Sequence, residues 1–296
     1  MKLLIIFNPK AAFGRSARKI GDIKARFASL GINARFVPTG HPGHGKELVS
    51  GADLSAFDGL VAAGGDGTLF EVVNGLYEHP ESARVPLGLL PIGTGNAFAR
   101  ELNLEPDAWS EAIDLLKGGR TRRIDVARVE SAQGNFYYLN TMHMGLAVDA
   151  GLAAQKLKIF GQASYTLATL WQVLKKKSYP LVIELDGNVI NSDNVFVTVS
   201  NSRYTGTHFL IAPGASIDDG VLDVTLLKNL SRRRLLKLFP TIYDGRHVDY
   251  AEVSVQQASH IRILSPRNML LGPDGEFTGK SPVDISCLHR DLRIYC

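Results

Sequence analysis

The chain has 296 residues, a net charge of +4, 45% hydrophobic residues and 21% charged residues. That size accommodates two domains with cores of their own, and the balance is that of an ordinary globular protein, which excludes a disordered or fibrous chain. Apolar runs stay short of the roughly 18–20 residues that span a bilayer, and the two cysteines, Cys287 and Cys296, make neither a disulfide framework nor a zinc site and point to a reducing cytoplasm.

The first apolar run is cut by Asn8, Pro9 and Lys10 before it reaches the length of a secretory core, so residues 2–7 read as a buried strand. Ile20, Ile23, Phe27 and Leu30 then repeat at helical spacing. Residues 34–38 form a second strand, 46–51 a short helix, 59–63 a third strand and 71–77 a helix. Residues 86–91 make a fourth strand, 96–102 open another helix, and 109–116 form a further one. Alternation of this kind predicts parallel strands joined by right-handed crossovers, a doubly wound sheet.

The texture changes near Arg120. Residues 124–129, 134–139, 181–185, 194–200, 221–227, 260–264 and 283–288 read as strands, parted by turn signals such as Asp186-Gly187, Asp219-Gly220 and Asp274-Gly275. Helical stretches at 164–177 and 232–242 interrupt them. The expected organisation is an α/β domain over 1–125 and a mostly antiparallel β domain over 126–289.

Three glycine-rich turns fall where strand gives way to helix: residues 39–45, 64–68 and 91–96. Glycine lets backbone N–H groups approach phosphate, and a helix N-terminus adds partial positive charge. Three such turns in one sheet point to an anion or nucleotide site. Residues 40–47, GHPGHGKE, nearly spell a P-loop, but Glu47 stands where a hydroxyl would hold Mg²⁺. No G-x-G-x-x-G follows the first strand, so the dinucleotide fingerprint is absent too.

Gly64-Gly65-Asp66-Gly67-Thr68, followed by Glu71-Val72-Val73-Asn74-Gly75-Leu76, resembles the signature of the diacylglycerol kinase catalytic domain. That family includes bacterial lipid kinases, sphingosine kinases and ceramide kinases. Asn8-Pro9-Lys10-Ala11 resembles its opening motif, Thr39 with Gly43-His44 its second, and Gly93-Thr94-Gly95-Asn96 its third. Residues 218–224 and Asp274-Gly275-Glu276 resemble its two late motifs. GGDGT alone is shared with NAD kinases; the five motifs in this order are specific.

The resemblance implies a phosphofructokinase/NAD-kinase-like N-terminal α/β domain, a β-sandwich-like C-terminal domain, and residues 290–296 returning to the first. It implies an ATP- and Mg²⁺-dependent lipid kinase whose partners are ATP and a lipid alcohol. A homodimer fits as well, and nothing in the chain asks for nucleic acid. Phosphoryl transfer needs phosphate positioning, charge neutralisation and a base for the attacking hydroxyl. Gly64, Gly65, Gly67 and Thr68 can cradle phosphates. Asp66 suits Mg²⁺ or a water on it, or else bonds its own turn. Asn8, Pro9, Lys10, Thr39, Thr94 and Asn96 are grouped with the nucleotide contacts, although Asn8, Thr39 and Thr94 also suit caps or turns. Glu71 joins the group in a first helical turn, where the dipole favours a carboxylate anyway. The resemblance makes Asp274 or Glu276 the catalytic base, the choice staying open, although Asp274-Gly275 also suits a plain hairpin turn. Asp219, with carbonyls of Ser216 and Val221, matches a structural Mg²⁺ site that Asp125 could extend.

The chain departs from the bacterial pattern at Phe70, where asparagine is usual, and at Ala97, where aspartate is usual and sphingosine kinases carry alanine. Diacylglycerol and long-chain amino alcohols therefore both stay open as acceptors. Residues 232–239, RRRLLKLF, suit a helix at an anionic membrane surface, and Lys175-Lys176-Lys177 after Trp171 and Leu174 form a second candidate. Either could instead be an ordinary amphipathic helix on the β domain. The expected location is cytoplasmic, peripheral at the inner membrane face. His41 and His44 read as loop residues. The competing readings are a soluble-metabolite kinase related to NAD kinase and a non-catalytic nucleotide- or phospholipid-binding regulator.

Overall fold

The computed structural model describes residues 1–156, 168, 171–175, 177–206 and 208–296. They form two compact units: Met1–Val126 with Tyr137–Leu139 and His289–Cys296, and Ala127–Phe136 with Asn140–Leu288.

The first unit is a parallel α/β layer. Its elements are β1 (Lys2–Phe7), α1 (Arg15–Ser29), β2 (Asn33–Pro38), α2 (His44–Ser50), β3 (Gly59–Gly64), α3 (Asp66–Leu76), β4 (Leu87–Pro91) and α4 (Trp109–Gly118). The strand order is β4-β3-β1-β2, with Leu3 opposite Gly59 and Leu60 opposite Leu87. Because crossover helices cover both faces, β3 and β4 are buried along their whole length and read as near-continuous apolar runs. On α1, Ile23 and Phe27 face inward, and Phe27 meets Phe36 of β2 edge to face at 5.7 Å. Near the C-terminus, Ile294 pairs in parallel with Leu87. Residues 137–139 belong here because Asn74 of α3 grips the Tyr137 peptide: Nδ2 donates to its O at 2.8 Å, and its N–H donates to Oδ1 at 2.9 Å.

Two local readings change. The helix expected from residue 71 begins at Asp66, because Leu69 N–H already donates to Gly65 O at 3.0 Å. The helix expected over 96–102 is a short 3₁₀ turn, Phe98–Leu102, since Asn96 sits at φ 51°, in the left-handed region that interrupts a helix.

The second unit is antiparallel. It comprises β5 (Thr121–Ser131) from Ala127 onward, β6 (Gly134–Tyr138) as far as Phe136, β7 (Thr141–Gly145), α5 (Leu146–Lys156), β8 (Tyr179–Leu185), β9 (Asn188–Ser200), the short β10 (Tyr204–Thr205) and β11 (Phe209–Leu210), β12 (Leu222–Lys228), α6 (Arg232–Leu238), β13 (Val253–Ala258), β14 (His260–Leu264), β15 (Gly272–Pro273) and the first half of β16 (Val283–Tyr295). The order runs β13-β12-β9-β8-β14-β16, with β7 bridging β9 and β15. Asp186 (φ 45°) and Gly187 (φ 86°) close the β8–β9 hairpin, the left-handed pair that a two-residue Asp-Gly turn requires.

Periodicity does not reveal β7, α5 or β13. Among the described residues β13 is an edge strand that pairs with β12 alone and leaves Val255, Gln256 and Gln257 exposed, so it carries no buried stripe. Pro240 lacks the N–H that would continue α6, and the chain tightens there into a 3₁₀ turn, Phe239–Ile242. The helix expected over 164–177 lies largely outside the described residues; 168 and 171–175 are helical.

Candidate active site

Parallel strands all end on the same edge, so the loops after Phe7, Pro38, Gly64 and Pro91 open together. The chain moves from β1 out to β2, then returns past β1 to β3. The sheet's order therefore reverses between β1 and β3, the place where such sheets hold ligands. Asn8 and Thr68 meet there, with Asn8 Nδ2 donating to Thr68 Oγ1 at 3.1 Å. Asn8 Oδ1 accepts from Lys10 N at 2.9 Å, a turn with Pro9 at its centre. Lys10 Nζ donates to Gly40 O at 3.1 Å, and Thr39 N to Phe7 O at 2.8 Å. Asn8, Pro9, Lys10, Thr39 and Thr68 thus gather at one strand edge.

The third and fourth loops touch backbone to backbone. A Cβ on Gly64 would lie 2.2 Å from Thr68 Oγ1, and one on Gly93 2.2 Å from Gly65 Cα. Asp66 opens α3 half-buried, and its Oδ1 accepts the Ala97 N–H at 2.7 Å. Burial raises its carboxyl to about 6, against the pull of backbone N–H groups at Ala97, Phe98 and Asn96. Ala97 thus joins the site through its backbone alone. Asn96 closes on its own turn, accepting from Gly93 N at 3.2 Å and donating to Gly93 O at 3.0 Å. Thr94 is exposed at the same edge and Gly67 half-buried.

Glu71, grouped with the nucleotide contacts from its place in the motif, has both oxygens engaged by protein. It accepts from Gly43 N at 2.7 Å and Gly45 N at 2.8 Å, clamping the second glycine turn. Asp125 is buried and accepts from His289 Nδ1 at 3.0 Å and Arg290 N at 2.6 Å, which ties down the returning chain. Among the described residues, His41, His44 and Glu47 are the group whose donor atoms come within 4.8 Å of one another. Gly40 N donates to His44 Nδ1 at 2.9 Å, and His41 Nδ1 lies 3.0 Å from Pro42 O, so both rings hold the loop.

In the second unit, Asp274 (φ 48°) and Gly275 (φ 84°) form a tight turn closed by Glu276 N donating to Pro273 O at 2.8 Å. The two acids of this motif differ. Asp274 is buried, its Oδ1 accepting from Asn140 N at 3.0 Å and Thr141 N at 3.1 Å, whereas Glu276 is exposed. Thr141 leads onward: its Oγ1 lies 3.0 Å from His143 Nε2 and donates to Thr205 Oγ1 at 3.2 Å.

Among the described residues, His143 and Thr205 are the polar lining of an otherwise apolar pocket holding about 620 Å³, its open mouth included. α5 contributes Leu146, Ala147 and Ala150, and α6 contributes Leu235 and Leu238. Sequence reasoning misses His143, Thr141 and Thr205, because a polar residue alternating in a strand carries no signal of what it faces.

Ser216, Asp219 and Val221 share one turn. Val221 N donates to the exposed Asp219 Oδ1 at 3.2 Å, and Ser216 Oγ donates to Asp218 Oδ1 at 2.9 Å. Asp223 follows, buried, its carboxyl raised to about 6 by burial and, less, by the charge of Asp219.

Known proteins resemble this chain along nearly all of it. The profile of the diacylglycerol kinase catalytic domain matches residues 2–129, and that of the YegS C-terminal NAD kinase beta sandwich-like domain matches 140–296. A diacylglycerol kinase of Staphylococcus aureus (strain bovine RF122 / ET3-1) is 30% identical over 98% of the chain and 91% of the relative. A diacylglycerol kinase of Mycobacterium tuberculosis (strain CDC 1551 / Oshkosh) is 29% identical, covering 99% and 94%. Sphingosine kinase 1 of Arabidopsis thaliana is 28% identical over 99% of the chain and 72% of the relative. A crystal structure of a diacylglycerol kinase from Bacillus anthracis str. Sterne superposes with a TM-score of 0.79 at 26% identity, covering 99% and 96%.

Proposed function

The chain belongs to the diacylglycerol kinase catalytic-domain family, and on that footing we propose that it transfers the γ-phosphate of ATP to the hydroxyl of a lipid alcohol such as diacylglycerol or a sphingoid-like alcohol. The first unit serves as the nucleotide domain and the second as the lipid domain. One observation carries the reading: the apolar pocket ends at His143 and Thr205, which connect through Thr141 to the buried carboxylate of Asp274. An acyl chain in the pocket leaves its polar end beside an acid that can take a proton.

ATP suits the first unit. Backbone of residues 64–68 and 93–96 approaches closely enough that only glycine fits at 93, which brings two loops suited to cradling phosphate to one edge. Lys10 stands at the same edge with its positive charge, Asn8 and Thr39 hold the loops there, and Thr94 offers an exposed hydroxyl. The donor set also fits Mg²⁺. Asp66 offers a carboxylate made costly by burial, and Asp219 with the carbonyls of Ser216 and Val221 offers a second, all-oxygen set beside the buried Asp223. When bound, Mg²⁺ neutralises charge on the phosphates. Glu71 positions the second glycine turn.

Asp274 is the base in this reading, being buried where Glu276 is exposed. Two N–H donors fix the Asp274 carboxylate, so it meets the acceptor hydroxyl without reorganising. α6 links chemistry to membrane: Leu235 and Leu238 wall the pocket while Arg232, Arg233, Leu236 and Lys237 are exposed. Transient contact with an anionic cytoplasmic surface follows, with the lipid entering past α6.

The test is phosphorylation with labelled ATP and Mg²⁺ on a panel of micellar lipids plus NAD. Label is expected in lipid, with loss of about 100-fold or more in Asp66→Asn and Asp274→Asn and little change in Glu276→Gln. Label in NAD alone would overturn the reading. Full activity in Asp66→Asn or Asp274→Asn would overturn that residue's role.

A further inference from the structure

Strand register gives the apolar pocket a direction. His143 pairs with Thr198 across β7 and β9, and Gly145 pairs with Phe196, which in turn pairs with Leu227 of β12. Two residues of strand span about 7 Å, so Phe196 and Leu227 line the pocket about that far beyond its polar end at His143. α5 starts at this apolar end, because Leu146 packs on the core that Leu227, Leu235 and Leu238 share. Leu146, Ala147 and Ala150 then line the pocket from one face of the helix.

The lining is uneven in size. Among the described residues, its apolar side chains are Val, Leu, Ile or Phe except at Ala147 and Ala150. Ala150 is fully buried, whereas Ala147 is half-buried and borders the open space. The helix is held on its other sides. A Cβ on Gly272 would lie 3.2 Å from Val148 Cγ2, and one on Gly151 would lie 2.6 Å from Phe277 Cζ, so β15 and the Phe277 ring press against α5. Asp149 Oδ2 accepts from Tyr179 Oη at 2.7 Å. With the helix fixed in this way, atoms added at residue 147 enter the pocket instead of displacing α5. They fill open space, unlike atoms added to a filled core.

We propose that Ala147 is a specificity-determining residue: its lone methyl group leaves room for the distal part of the lipid's hydrocarbon chain and so sets the chain length that is accepted. This role rests on the lipid-kinase reading and concerns the chain, not the headgroup. It falls to a helix residue outside the five motifs. Each methylene that gains an apolar wall is worth about fourfold in affinity, so a pocket of fixed depth reads length until it is full.

The experiment measures kcat/KM on lipid alcohols of one headgroup, the one that takes label, in even chain lengths from six to eighteen carbons at fixed mole fraction in mixed micelles. Wild type is expected to gain about fourfold for each methylene that enters the pocket and to level off once it is full. Ala147→Leu is expected to match wild type within about twofold on the shortest chains and to lose about tenfold or more on the longest. Ala147→Phe, with a larger group, should turn down at a shorter chain still. Micelle partition is common to all the proteins, so the ratio of variant to wild type at each length reports the pocket. Leu152→Ala, on the exposed side of α5, should give a ratio independent of length. A length-independent ratio in Ala147→Leu and Ala147→Phe would overturn the inference while leaving a lipid kinase standing. So would a wild-type rate that is flat from six to eighteen carbons, a result that needs no variant and decides even if neither one folds. Absence of label in every lipid would instead sink the kinase reading, and this inference with it.

Discussion

Gly65 and Gly93 pack backbone against backbone: a Cβ on Gly93 would lie 2.2 Å from Gly65 Cα and 2.6 Å from its N. Two loops that leave neighbouring strands are held in contact by the absence of one side chain, and Asp66 fastens the pair by accepting from Ala97 N. Gly93→Ala must push these backbones apart. We expect a loss of about 2–4 kcal/mol in urea unfolding and a collapse of activity. Gly118→Ala, whose Cβ meets nothing within 4 Å, is expected to be neutral or slightly stabilising. Equal stability of the two variants would refute the contact.

Glu71 supplies two acceptors to one loop. Glu71→Ala leaves Gly43 N and Gly45 N without them, at a cost of about 1–3 kcal/mol. Because the loop contacts the proposed nucleotide edge through Gly40 and Lys10, the KM for ATP should rise several-fold while kcat changes less. Glu71→Gln keeps one acceptor and should fall between. A change confined to kcat would count against a positioning role.

Two histidines, His143 half-buried and His247 buried, set an acid limit on stability. His143 is pushed down to about 4 by burial, and His247, whose Nε2 lies 3.0 Å from Ile211 O, is lowered for the same main reason. Both stay neutral in the fold while the unfolded chain takes up protons below about 6.5. The contribution of His143 is complete above pH 6.5 and is lost as pH falls toward 4, and His247 acts in the same direction. Denaturant unfolding at pH 7.0 and 4.5 should show wild type losing roughly 1–3 kcal/mol more than His143→Phe does across that interval. A parallel loss in both proteins would rule the mechanism out.

On α6 the three arginines are not equivalent. Arg234 is engaged, its Nε 2.7 Å from Glu252 Oε1 and its guanidinium over the Tyr250 ring, whereas Arg232, Arg233 and Lys237 are exposed beside Leu236. Sedimentation with anionic vesicles at low salt should weaken several-fold in Arg232→Glu/Arg233→Glu, at about 1 kcal/mol per charge near the surface. Arg234→Gln should instead lower stability. Binding to neutral vesicles equal to that on anionic ones would contradict the electrostatic part of the proposal.

Much of this protein was legible in its residues because the relevant physics is local. Buried parallel strands read as apolar runs, helices as a 3.6-residue repeat, and the Asp-Gly hairpin at 186–187 as left-handed backbone. The glycines at 64, 65 and 93 announced close backbone approach, and the order of five motifs identified the family. Where local signals were weak the reading failed: β13 is an edge without a buried face, α5 follows Gly145 with small residues, and Asn96 breaks the helix its neighbours suggest.

The sequence by itself determined the two-part organisation, the glycine loops and the acids available for chemistry, since each depends on residues close along the chain. Only the tertiary structure decided what those groups do. Glu71 reaches a loop 26 and 28 residues away, Asp274 takes the N–H of Asn140 and Thr141 from more than 130 residues away, and His143 meets Thr205 across 62. Hydrogen bonds form over about 3 Å and need aligned atoms. That alignment is set by strand register and the path of the loops, which no periodicity in the chain encodes.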